Sequence, residues 1–211
     1  MSRRQIELAI KRACDVLISG ATLLIMAPLL LLLALWIRVD SGGPALFSQW
    51  RAGKDGRPFR ILKFRTMVEH AESMGPGLTT AQNDPRITRV GRTLRRLSLD
   101  EVPQLINVLT GSMSLVGPRP APLEHFASSS RRRLALRPGI TGWAQINGRN
   151  RLTWPERVAL DLWYVDNFSL LWDLKILLRT FSVVLTREGV YSGRNDEKVK
   201  STSYAREEPE T

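Results

Sequence analysis

Between Val16 and Ile37 the chain reads VLISGATLLIMAPLLLLLALWI, without one charge. A run of about 22 apolar residues matches the ~20 that a helix needs to cross a bilayer. It exceeds the apolar core of a secretory signal, and no small-residue cleavage site precedes Arg38, so it reads as an anchor. Arg3, Arg4, Lys11 and Arg12 precede the run; Arg38, Arg51, Lys54, Arg57 and Arg60 follow it. Because Lys and Arg are retained on the cytoplasmic side, both ends are assigned to the cytoplasm. Pro28 divides the run into stretches of about 12 and 10 residues, each ~15 to 18 Å as helix and so about half of a ~30 Å hydrocarbon core. A bend at Ala27-Pro28 would let the helix enter one leaflet and return, with Ser19 and Thr22 hydroxyls satisfying the freed backbone. An ordinary kinked span stays open as the alternative.

The remainder of the 211 residues suffices for one core, so a single domain with appendages is expected: residues 1–37 as basic N-terminus and membrane helix, 38–193 as a cytosolic domain, and 194–211 as a polar, disordered tail. PALFSQWR and FRILKFRTM flank the turn signal AGKDGRP and predict a β-hairpin. VEHAES reads as a short acidic helix, and MGPGLTTAQNDPRITRVG, Met74 to Gly91, as a long functional loop. GSMSLVGPRPAP reads as loop, and RPGITGWAQINGRN as turns or short strand. Thr153, Pro155 and Glu156 form a helix start. Apolar residues at helical spacing from Ser169 to Arg187 predict an amphipathic helix. It packs on a core or, beside a membrane anchor, lies in the interface together with Trp163 and Trp172. The fold class is α+β, mostly helical.

A formal charge of +11 favours phosphate-rich partners without choosing among nucleic acid, anionic lipid and nucleotide substrates. One cysteine, Cys14, rules out an intramolecular disulfide and a cysteine-built zinc site; His70 and His125 are too separated to suggest a metal cluster. The chemistry-bearing stretch is RRLSLDEVPQL, residues 95–105. Ser98 to Glu101 matches the S-x-x-E capping box, so both acids read as helix-start residues, although Pro103 would then fall inside the helix and strain it. The same acids read equally as chemistry. An ionised Asp100 beside cations suits attack on a phosphoryl group, with a divalent metal screening the repulsion between anions. Candidate cations are Arg95, Lys63 and Arg65 on one strand face, and Arg119 in GPRP.

Taken together, KRACDVLIS, the proline-broken apolar run, KFRTM, DPRITRVGRTLRRLSLDEVPQLINVLTGSMSLVGPRP, RPGITGWAQINGRN and LDLWYVDNFSLLWDLKILLRT resemble the small monotopic phosphoglycosyl transferases of bacteria, from about Lys11 to Val190. The resemblance implies transfer of a sugar 1-phosphate from a UDP-sugar to undecaprenyl phosphate, with Mg²⁺, releasing UMP at the cytoplasmic face of the bacterial inner membrane. It implies that the membrane helix is re-entrant. It further implies Asp100 as nucleophile through a covalent phosphosugar intermediate, and Glu101 as its catalytic partner and metal ligand, with Asp100 a second candidate ligand. Lys63, Arg65, Arg95, Arg119, Asp161 and Asp173 become candidate substrate or phosphate contacts. Expected partners are the UDP-sugar, undecaprenyl phosphate and membrane lipids, with no nucleic acid; a homodimer is left open. The family's membrane break is often Ser-Pro, so Ala27-Pro28 lacks a hydroxyl there. Without the N-terminal membrane bundle of larger relatives, the chain resembles the minimal catalytic unit. NGRN hints at N-acetylated sugars. Two rivals stand beside this reading: direct metal-assisted transfer between the same substrates, and a non-enzymatic basic membrane-tethered anion or nucleic-acid binder.

Overall fold

The computed structural model describes residues 2–71, 74, 84–121, 123 and 128–186. The expected tail lies outside these residues, as does most of the long loop that follows Met74.

Helix α1, Arg3–Ser41, opens on a capping box: the Ser2 hydroxyl accepts from the Gln5 amide, and the Gln5 side chain accepts from the Ser2 amide. It is helical throughout, with Pro28 inside it, so the apolar run belongs to one continuous helical element. By length and composition α1 can cross a membrane. Ser19 does not act as the expected hydrogen-bond donor to a freed carbonyl; its Oγ is buried without a partner among the described residues.

Both ends of α1 grip the rest of the protein. In the N-terminal half, Lys11 donates to Asp173 at 2.6 Å, Asp15 accepts from the Ser114 hydroxyl at 2.7 Å and the Leu115 amide at 3.0 Å, and Arg12 donates to the Val108 and Leu109 carbonyls. In the C-terminal half, Leu33 and Ile37 join Phe64, Val90 and Leu94 in an apolar cluster, where the match is of shape and hydrophobicity rather than charge.

The predicted hairpin forms as β1, Leu46–Ala52, antiparallel to β2, Pro58–Phe64, with Gln49 opposite Ile61. Of VEHAES, Val68 to Ala71 are described: Glu69 and His70 form a turn, with His70 at φ 59°, and Ala71 is in 3-10 conformation; the remainder of the expected short helix lies outside the described residues. Helix α2, Arg89–Arg96, is capped by Thr88 and presses on the strand exit: a Cβ on Gly91 would lie 2.1 Å from the Thr66 carbonyl oxygen, so only glycine permits this approach. Helix α3, Gln104–Leu109, follows. The GSMSLVGP segment is not all loop: β3, Ser114–Val116, pairs in parallel with β4, Gly139–Thr141. Three-residue strands carry too little periodicity to be seen in sequence.

Helices α4, Trp143–Ile146, α5, Trp154–Asp166, and α6, Leu170–Thr186, complete the described fold. Thr153 and Glu156 cap α5 reciprocally, as expected. The principal core gathers Ile61, Leu105, Val108, Met113, Tyr164 and Ile176 from both hairpin and helices. On α6 the apolar pattern divides. Ile176 is buried, whereas Leu171, Leu174, Leu178 and Phe181 remain 53–70% exposed along the other face. Trp143, Trp163 and Trp172 form one cluster, with ring centroids 4.8 to 5.2 Å apart.

Candidate active site

After α2 the chain reverses at Ser98, which adopts φ 55°, ψ 21°, a left-handed conformation that costs a serine some backbone energy. That turn removes the capping-box reading. Ser98 makes no side-chain cap; instead its hydroxyl accepts from Arg149 at 3.2 Å, and α3 begins only after Pro103, at Gln104. Asp100 and Glu101 occupy a single 3-10 turn, Leu99–Glu101, between the two helices.

The strand β2 brings a cation to this turn. Lys63 Nζ donates to Glu101 Oε1 at 2.9 Å, and Arg119 Nη2 approaches the same oxygen at 4.0 Å. Asn107 of α3 fixes their relation by accepting from the Leu62 amide at 2.9 Å and donating to the Arg60 carbonyl at 2.8 Å, which ties β2 to the helix that follows the acids. Arg95 donates to the Thr66 hydroxyl at 2.8 Å and is near enough to act electrostatically on Asp100.

Electrostatics separate the two carboxyls. For Glu101, burial alone would raise the pKa, but Lys63, Arg119 and Arg149 outweigh it and hold the group at about 2. Asp100 moves upward, chiefly because burial disfavours its charge and secondarily because ionised Glu101 repels it; Lys63 and Arg95 oppose the shift. Among the described residues Asp100 makes no ion pair. A neighbouring pair with divergent proton affinities, surrounded by Lys63, Arg95, Arg119 and Arg149, suits binding of a polyanion and chemistry on it. Arg149 is the group sequence reasoning missed. Nothing in the NGRN stretch signals that a turn delivers this arginine to Ser98.

The other candidates lie elsewhere. Arg65 leaves the strand and donates to Ser41 Oγ at 2.9 Å and to the Gly42 carbonyl, closing the C-terminal end of α1. Asp161, fully buried on α5, pairs with Arg133. Asp173 binds Lys11 and the Tyr164 hydroxyl, both at 2.6 Å. Neither acid is in the cluster around Asp100. Ala27 and Pro28 lie in the middle of α1, between its two gripped ends.

Among the described residues no three His, Cys, Asp or Glu side chains group as a ready metal cage. Two adjacent carboxylates, one held ionised, nevertheless fit a hard divalent cation that takes its remaining ligands from substrate phosphates and water.

The model of the bacterial sugar transferase family matches residues 6–187. The chain is 48% identical over 157 residues to the uncharacterized sugar transferase EpsL of Bacillus subtilis, covering 73% of this chain and 76% of that protein. It is also 48% identical over 193 residues to a UDP-glucose:undecaprenyl-phosphate glucose-1-phosphate transferase of Caulobacter vibrioides, covering 86% and 72% respectively. Identity to the undecaprenyl-phosphate galactose phosphotransferase of Salmonella typhimurium is 42% over 200 residues, which is 86% of this chain and 42% of that longer protein.

Proposed function

This chain belongs to the bacterial sugar transferase family, and from that premise we propose that it moves a hexose 1-phosphate from a UDP-sugar to undecaprenyl phosphate at the cytoplasmic face of the inner membrane. The observation that carries the reading is the divided acid pair: Glu101 neutralised by Lys63 and Arg119, and Asp100 beside it without an ion pair among the described residues.

Asp100 attacks the β-phosphorus of the donor. The bond to the oxygen bridging the two phosphates breaks, and UMP departs with the electron pair. An oxygen of undecaprenyl phosphate then attacks the same phosphorus and displaces the Asp100 carboxylate, giving undecaprenyl diphosphate sugar. Lys63, Arg119 and Arg149 bind and orient the diphosphate, and Arg95 reduces the repulsion at Asp100. Asp100 and Glu101 would hold Mg²⁺, which when bound supplies positive charge that lowers Asp100 and neutralises departing UMP.

A re-entrant α1 suits this reaction by setting the acids at headgroup depth, where nucleotide and lipid phosphate both reach them. The two gripped ends of α1 support it. Lys11 and Ile37 are 26 residues apart, about 39 Å in a straight helix, more than a ~30 Å hydrocarbon core. A straight span would require one polar domain to touch both ends of that helix from opposite sides of the bilayer. The exposed face of α6 supports an interfacial seat beside it. Two relatives are named for glucose and galactose, so UDP-glucose and UDP-galactose head the donor panel, ahead of the N-acetylated sugars suggested by NGRN.

The test is UMP release with Mg²⁺ but without acceptor. A burst of about one UMP per enzyme that is absent from Asp100→Asn supports the covalent route. UMP appearing only once undecaprenyl phosphate is added favours direct transfer, with the acids reduced to metal ligands.

A further inference from the structure

Asp161 is fully buried and Arg133 only 3% exposed, so neither touches a substrate at the acid pair. Arg133 Nε donates to Asp161 Oδ2 at 3.0 Å and Nη2 to the same oxygen at 2.5 Å, and that Nη2 also donates to the Arg119 carbonyl at 3.2 Å. The Arg133 guanidinium lies 5.0 Å from the centroid of the Trp154 ring, which limits its freedom further. Replacing a buried ion pair by apolar residues is commonly neutral or stabilising, so fold stability alone does not account for this one.

Its geometry does. The Arg119 loop is tied at its base by backbone bonds, Gly117 N–H to the Thr141 carbonyl and Gly139 N–H to the Pro118 carbonyl, both at 2.9 Å. Arg133 then fixes the next carbonyl, that of Arg119 itself. The Arg119 side chain leaves from this point to reach Glu101 at 4.0 Å. We propose that Asp161 and Arg133 are positioning residues, which clamp the backbone at Arg119 and so aim its guanidinium at the substrate diphosphate beside Glu101. The guanidinium supplies a planar fork that a lysine cannot reproduce, and Asp161 keeps that fork in register.

This inference rests on the reading of Asp100 and Glu101 as the active centre, and its test keeps the two separable. The full chain in nanodiscs, with UDP-sugar and undecaprenyl phosphate, is compared with Arg133→Lys, Asp161→Asn, Arg119→Gln and the Asp161→Asn/Arg119→Gln double variant. Asp161→Asn and Arg133→Lys are each expected to lose about tenfold in kcat/KM per folded molecule, mainly through donor KM. Asp161→Asn also lowers the melting temperature, because it leaves Arg133 buried without its counter-charge, whereas Arg133→Lys keeps the charge. In the Arg119→Gln background the Asp161 change should cost less than about twofold, because it acts through a group already removed. Fully multiplicative losses, or wild-type kcat/KM in both single variants, would overturn the proposal. Where Asp161→Asn does not fold, the cycle of Arg133→Lys with Arg119→Gln decides by the same criterion. If the parent protein turns over no UDP-sugar, the active-centre reading fails. The clamp is then judged by phenylglyoxal labelling mapped by peptide mass: faster labelling of Arg119 in Arg133→Lys, with Arg60 unchanged, sustains it, and equal rates refute it.

Discussion

Two clusters use the same kinds of residue to opposite ends. At the foot of α1, Asp173 has one oxygen on Lys11 and the other on the Tyr164 hydroxyl, while both Asp15 oxygens are taken by Ser114 and Leu115. The Lys11–Asp173 side chains are only about a tenth exposed. At the acid pair, Lys63 and Glu101 are 25% and 21% exposed, one Glu101 oxygen receives two cations, and Asp100 has no ion pair among the described residues. The first cluster is closed and fastens α1 to the domain. The second is open, with excess positive charge, and so retains the capacity to receive an anion.

The sharpest way to break this contrast is to neutralise one acid from each cluster. Asp100→Asn should reduce sugar-phosphate transfer at least about a thousandfold while the protein still melts cooperatively. Asp173→Asn should do the reverse. It leaves Lys11 buried without its counter-charge, so stability falls by about 3 to 5 kcal/mol in chemical denaturation, while kcat per folded molecule is retained. Lys11→Met combined with Asp173→Leu should recover most of that loss. A collapse of kcat in folded Asp173→Asn would place the closed cluster in the catalytic machinery and end the distinction.

Within the open cluster the two acids should oppose each other in a pH titration of stability without metal. The folded pKa of Glu101 is depressed, from an ordinary 4.5 to about 2. Its ionisation therefore stabilises above pH 4.5, and the contribution disappears as pH falls through about 2. Glu101→Gln should lose on the order of 3 kcal/mol at neutral pH and nothing in strong acid. The folded pKa of Asp100 is raised above 3.8. Stability accordingly falls as pH rises from 3.8 through the folded value, and Asp100→Asn should be more stable than the parent at neutral pH. Equal signs for the two variants would mean that the pair does not divide its charge as described.

The sequence carried the local signals and missed the convergent ones. The apolar run, the hairpin turn, the Thr153–Glu156 cap and the helical spacing of α6 are near neighbours in the chain, and their periodicity is visible there. Lys63 and Glu101 meet across 38 residues, and Arg149 meets Ser98 across 51, contacts that no period announces. Arg65 and Asp173 illustrate the same limit. The charge of Arg65 suggests a phosphate cation, and the resemblance alone implies a site role for Asp173. Their partners, Ser41 and Gly42 for one and Lys11 and Tyr164 for the other, are not near neighbours in the chain and carry no period. The capping box failed because a four-residue pattern cannot show that Ser98 is left-handed.

That left-handed turn yields the smallest effect and the finest test of the contrast. A closed cluster sits on regular helix, whereas the open one hangs from a serine at φ 55° that spends backbone energy to face Arg149. Ser98→Gly relieves the conformational cost, worth about 1 kcal/mol, but gives up the Arg149 bond, so its stability should stay within about 1 kcal/mol of the parent. Ser98→Ala keeps the cost and loses the bond, and should be less stable than Ser98→Gly by about 1 kcal/mol. Both variants remove the Ser98 bond to Arg149 and should raise donor KM by the same modest factor, since that bond and not the strain helps to orient the arginine at the site. Equal stability in glycine and alanine would show that the turn carries no strain. A rise in KM in Ser98→Ala alone would assign the effect to backbone distortion, and the open cluster would then depend on the shape of its turn more than on the cation the turn holds.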